Sequence, residues 1–153
     1  MIGAGCNLHT EVERKTRFLM ARIVPGKTAG ESVGAQLAMS SPLPAGARVS
    51  VTHDNGTKFA RHTRLRDELG MDTYFADPYS SWQRGSNENR NGIIRRYLPK
   101  RSEIRMDMAG GLREIVDEAD NRPMRVLGYR TPAEAFADEL LELQDQQECC
   151  TSK

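Results

Sequence analysis

Arg48-Val49-Ser50-Val51-Thr52-His53-Asp54-Asn55-Gly56 is the stretch on which the fold turns. Arg48 to Thr52 is short, β-branched and alternating, which predicts a strand. Asp-Asn-Gly then breaks it, because Gly56 accepts a positive φ and the two residues before it favour turns. Phe59 to Leu69 reads as a helix, and Met71 to Phe75 as another strand. A second break follows, from Asp77-Pro78-Tyr79 through Arg84-Gly85-Ser86-Asn87-Glu88-Asn89. The order is strand, acid, helix, strand, loop, acid, with 33 residues between Asp54 and Glu88.

Working outward, a helix is expected from Asn87 or Glu88 to Tyr97, stopped by Pro99. Upstream, Thr10 to Arg17 and Phe18 to Val24 read as two strands, with Glu13-Arg14-Lys15-Thr16 at a hairpin turn or on a solvent-facing strand. Met1 to Gly5 reads as the stub of a strand, and Pro25-Gly26 closes the region. Thr28 and Glu31 form a capping box for a helix that turns Val33, Leu37 and Met39 inward and ends at Ser40-Ser41-Pro42. Downstream, Leu112, Ile115, Val116 and Ala119 are spaced as one face of an amphipathic helix. Thr131-Pro132-Ala133-Glu134 caps a last helix with a Phe136, Leu140, Leu143 stripe and a fraying end past Gln144. The resulting expectation is an α/β fold with a mixed sheet, flanking helices and an incomplete first strand. Residues 1–110 form the core, 111–144 the helices that pack on it, and 145–153 a flexible tail.

The chain has 153 residues, 38% of them hydrophobic, with a mean hydropathy of -0.62, enough for one domain with a real core. No apolar run reaches the length of a membrane span and no charged-then-apolar leader is visible, so a cytoplasmic location is expected. Cys6 stands alone and Cys149 and Cys150 are adjacent, which gives no disulfide framework. Cys6 and His9 have C-x-x-H spacing, but no second pair completes a zinc site. The net charge of +1 conceals a segregation. Arg84 to Arg105 carries seven basic and two acidic residues, whereas Thr131 to the end carries six acids and one Lys. A basic middle beside Glu88 suggests a polyanion partner.

Divalent magnesium or manganese takes oxygen ligands, and carboxylates from separate strand and helix ends can grip such ions from several sides during phosphoryl transfer. Asp54 suits that role just beyond a strand; it also suits a plain Asp-Asn-Gly turn. Glu88 suits it in a first helical turn, where the macrodipole favours an anion, which is also an ordinary reason for an acid there. Glu88, Asn91 and Arg95 share a helix face, and Arg84, Asn87, Arg90, Arg96 and Lys100 surround them as candidates for DNA contact. Trp82 either stacks on a base or anchors its loop, and Tyr79 has the same two options. His53 and His62 orient a carboxylate, meet phosphate, or are plain turn and surface residues, and Asp77 before Pro78 reads as a turn acid.

The motifs resemble a known family. Thr52 to Ala60, Tyr74 to Asn89 and Asn91 to Lys100, with Val12 to Phe18 and Asn121 through Glu134, look like the catalytic core of DDE-type bacterial insertion-sequence transposases. The nearest group is that named after insertion sequence thirty, and the similarity covers nearly all of residues 1–140. The resemblance implies an RNase H-like fold shared with retroviral integrases, an Asp, Asp, Glu triad, and Mg2+ or Mn2+ as cofactor. It makes Asp54 the second acid and Glu88 the third. It implies strand cleavage at transposon ends, attack of a 3'-hydroxyl on target DNA, and double-stranded DNA, a second copy or full-length transposase as partners.

Two positions depart from the pattern, Lys58 for a usual Glu and Ser81 for a usual Pro. The family's first Asp belongs a few residues before Met1, so no residue here matches it; Glu11 and Glu13 are the nearest acids. The expectation is a partial or inactive copy with little or no transposition of its own. A non-enzymatic DNA-binding or self-associating remnant, and an RNase H-like metal-dependent nuclease, are the alternatives.

Overall fold

The computed structural model describes residues 4–26, 28–53, 63–77 and 85–151, with the side chains of residue 4 and of 147–151 left aside. Asp54, Trp82 and Arg84 lie outside those residues, as do His62, Tyr79 and the expected start of the helix at Phe59. The first elements are β1 (Ala4–Gly5), β2 (Asn7–Val12) and β3 (Leu19–Val24). β2 and β3 pair antiparallel with Asn7 opposite Val24 and Val12 opposite Leu19.

Alternation predicts a strand from Thr10 to Arg17, whereas β2 ends at Val12. Glu13 causes the difference. Its carboxylate accepts from the backbone N–H groups of Lys15, at 2.9 Å, and Thr16, and from the Thr16 hydroxyl. Its own N–H donates to Phe18 O at 2.8 Å, and Arg17, at φ 66°, donates back to Glu13 O. Residues 13–18 are therefore a closed turn.

Helix α1 (Ala29–Ser40) starts at the expected capping box, with Thr28 accepting from the Glu31 N–H and Glu31 accepting from the Thr28 N–H. It buries Val33, Ala35 and Gln36, with Leu37 packed beside them. β4 (Ser50–His53) and β5 (Asp72–Phe75) pair in parallel through the crossover helix α2 (Thr63–Leu69). Gly70, at φ +68°, ends α2 and donates to Arg66 O at 2.9 Å. Val33, Leu65 and Met71 form the core of this half.

Helix α3 spans Gly85–Tyr97, two residues earlier than the sequence suggested. Ser86 receives the Arg17 guanidinium and Asn87 lies against Thr10, contacts that offset the weak helix propensity of Gly85. β6 (Glu103–Ile104) pairs in parallel with β1, and α4 (Ala109–Asp120) follows. The spacing read from Leu112 to Ala119 holds: Leu112 and Ala119 join Leu8, Leu19, Ile23, Ile94 and Ile104 in the larger core, with Ile115 and Val116 against it.

α5 (Pro132–Thr151) continues through the stretch read as a fraying end. It begins at the Thr131 and Glu134 capping box, and Phe136 stacks on Phe18 with ring centroids 4.3 Å apart. Mixed parallel and antiparallel pairing is present as expected, but among the described residues it forms three two-stranded sheets. Among the same residues no helix is long and apolar enough to cross a membrane.

Candidate active site

β4 ends at His53, immediately before Asp54, and α3 carries Glu88 in its first turn. The ends of these elements meet at a cavity of about 570 Å³, whose lining includes Thr10 and Glu11 from β2, Gln36 from α1, His53 from β4, and Ser86 and Asn87 from α3. The residue before Asp54 and the residue before Glu88 thus face the same space. Asp54 itself is outside the described residues.

Each neighbour is held by a polar contact whose partner is distant in sequence. His53 is 2% exposed and lies 3.4 Å, at Nδ1, from Gln36 Nε2; its ring tilts against Phe75 at 5.9 Å. The same Gln36 amide donates to Glu11, which also lies 3.3 Å from His9 Nε2. Burial pushes the Glu11 carboxyl up, but the His9 and Gln36 hydrogen bonds and the charges of His9 and His53 outweigh it, and the net shift is downward. On the other side of β2, Thr10 Oγ1 donates to Asn91 Oδ1 at 2.7 Å and lies 3.4 Å from Asn87 Oδ1.

Adjacent strand residues point to opposite faces, so Thr10 faces α3 and Glu11 faces α1. Glu11 is engaged by Gln36 and His9, and Glu13 by its turn. Among the described residues no group of three His, Cys, Asp or Glu side chains is placed to hold a metal ion.

The outer face of α3 carries Glu88, Asn89, Gly92, Arg95 and Arg96, all exposed, and Lys100 and Arg101 are exposed just after it. Arg95, Arg96 and Lys100 thus lie on the surface, as a phosphate-contact role requires. Asn91 was read as sharing the Glu88 face; it is half-buried and turned to Thr10, and Asn87 likewise. Arg90 is a correction. It was a candidate for DNA contact, yet it is 2% exposed and ion-paired with Asp120, while Nη1 donates to Ala119 O at 3.1 Å. Asp120 had no signal in the sequence beyond being an acid at the end of a predicted helix. It accepts from the Leu19 N–H at 3.2 Å with each oxygen, and burial pushes its carboxyl up to about 6 despite the attraction of Arg90.

No family model matches the sequence. Among known proteins it is 34% identical over 135 residues to the transposase for insertion sequence element IS1086 of Cupriavidus metallidurans, covering 88% of this chain and 40% of that one. It is 37% identical over 131 residues to the Escherichia coli transposase InsI for element IS30C, covering 84% and 33%. Over these stretches the chain is similar to transposases of the insertion-sequence-thirty group. It spans 33–40% of the length of these two relatives.

Solved structures agree on the fold. The catalytic core domain of BIV integrase superposes with a TM-score of 0.68 at 18% identity, over 97% of this chain and 93% of that one. A chain of the simian T-cell lymphotropic virus intasome gives the same score at 20% identity, over 84% and 47%. At such identities the likeness establishes the fold alone: the chain has an RNase H-like arrangement of helices around short mixed strands.

Proposed function

We propose that this segment carries the metal-dependent DNA cleavage and strand-transfer chemistry of an insertion-sequence transposase, with Asp54 and Glu88 as ligands of Mg2+ or Mn2+. The observation that carries the reading is the shared cavity: His53, adjoining Asp54, and Ser86 and Asn87, adjoining Glu88, line one space. The donor chemistry fits, since Glu88 offers an exposed carboxylate of the kind hard divalent cations take. A bound ion would supply Lewis-acid stabilisation of charge at a phosphate.

The chain's own residues hold and orient. Thr10 fixes Asn87 and Asn91 on either side of Glu88, and Gln36 ties His53 to Glu11. Arg84, Arg95, Arg96 and Lys100 are the phosphate contacts of this reading, Trp82 is a base-stacking residue, and Arg90 leaves the set. Double-stranded DNA, at transposon ends and target, is the substrate, and a second copy or full-length transposase is the protein partner.

The test is direct. Mn2+ titration of the purified chain, followed by electron paramagnetic resonance, should show binding that Asp54→Asn and Glu88→Gln each weaken, together with Mn2+-dependent nicking of duplex DNA that both abolish. Equal Mn2+ affinity in both variants and parent would remove the assignment. DNA binding that survives without any cation dependence would favour the non-enzymatic reading.

A further inference from the structure

We propose that the Arg90–Asp120 pair is a positioning device that fixes the rotation of α3 and thereby the direction in which Glu88 is presented from its exposed face. This rests on the metal reading of Glu88. Two residues of α-helix correspond to about 200° of rotation, so Arg90 stands on the side of α3 opposite Glu88. Burial follows the same division, with Glu88, Gly92, Arg95 and Arg96 exposed and Arg90 and Ile94 buried.

Three elements meet at this one group. The guanidinium comes from α3; it donates to the Ala119 carbonyl and the Asp120 carboxylate of α4, and Asp120 accepts from the Leu19 N–H of β3. A guanidinium is a planar fork with donors in fixed directions, so two simultaneous bonds set orientation as well as distance. Ile94, one turn on, contributes burial but little rotational preference. Thr10 holds α3 from the flank through Asn91, and Arg17 holds its start through Ser86, so Arg90 is the anchor directly behind the acid.

The pair is a costly way to obtain stability alone. Asp120 is the last residue of α4, where the helix dipole disfavours an anion, and burial disfavours both charges. Apolar residues of similar volume generally stabilise such a position at least as well. Orientation is what they would not supply.

The test uses the full chain and four proteins: the parent, Glu88→Gln, Arg90→Lys and the double variant Arg90→Met with Asp120→Leu. Mn2+ affinity by electron paramagnetic resonance is read beside the thermal midpoint. The double variant, which also leaves the Leu19 N–H without its acceptor, should stay folded with a midpoint a few degrees lower at most, yet bind Mn2+ about 10-fold more weakly, the low end of what supporting partners contribute to metal affinity. Arg90→Lys, which keeps the charge without the fork, should fall between the double variant and the parent.

Parental Mn2+ affinity in the double variant overturns the positioning role. If every change at the pair unfolds the chain, the pair is a stability element and the assignment is withdrawn. If Glu88→Gln binds Mn2+ as the parent does, the metal reading fails first, and the positioning role falls with it.

Discussion

The hairpin half of the molecule and the β4–β5 half each lead to one candidate acid, and they are built differently. Around β2, β3, α3 and α4, seven buried apolar residues form a contiguous core, and three long-range polar anchors hold α3. Around β4, α2 and β5 the core is Val33, Leu65 and Met71, and the outward strand leaves Tyr74 and Phe75 exposed. Glu88 thus stands on an element fixed from several sides. Asp54 follows a four-residue strand tied to the rest through Gln36 and a small cluster. The contrast teaches that two elements flanking one cavity can be anchored very differently, α3 from several sides and β4 through few contacts.

Breaking an anchor of α3 should have the largest effect. Arg90→Met leaves Asp120 buried without its partner and should cost about 3–5 kcal/mol at neutral pH, a drop of about 10 °C or more in the melting midpoint by calorimetry. The cost should shrink at low pH, where Asp120 takes a proton. The same pair has its own pH signature. Burial pushes the native Asp120 carboxyl up to about 6, above its ordinary value of 3.8, so folding favours the protonated form. Its contribution is full below about pH 4 and is lost as pH rises through 6. Urea unfolding from pH 4 to 7 should show the parent losing stability relative to Asp120→Asn across that window. Glu11 has the opposite sign, its lowered value giving stability that is present above pH 4.5 and lost below.

The weaker half is sharpened by Leu65→Ala, which opens a cavity at a side chain 0% exposed in a three-residue cluster. We expect about 2–3 kcal/mol, with hydrogen-exchange protection lost at β4 and β5 before β2 and β3. Thr10→Val removes the hydroxyl that holds Asn91 and should cost about 1 kcal/mol in urea unfolding. Glu88→Gln should change stability by less than about 0.5 kcal/mol, since the residue is exposed, while weakening Mn2+ binding. A loss of several kcal/mol there would mean that Glu88 is a structural acid.

Much of this was legible in the chain. The capping boxes at Thr28 and Thr131 are local chemistry, and both appear as read. The Leu112 to Ala119 face follows from helical periodicity. The misreadings share a cause, which is that a polar side chain does not announce its partner. Arg90 sits in a basic run and looks like a phosphate contact until Asp120, thirty residues on, is found beneath it. Asn87 and Asn91 look like solvent-facing donors until β2 arrives with Thr10. Glu13 looks like a strand residue, yet two backbone N–H groups and a hydroxyl close a turn around it.

The sequence by itself determined the order of elements, the capped helix starts at Thr28 and Thr131, and the likeness to insertion-sequence transposases, because periodicity, capping and motif order are properties of residues close together in the chain. Tertiary structure alone decided which basic residues remain at the surface, which face of β2 meets α3, and that the neighbours of Asp54 and Glu88 share a cavity. Those are contacts across tens of residues, selected by burial and by the need of each buried polar group for a partner.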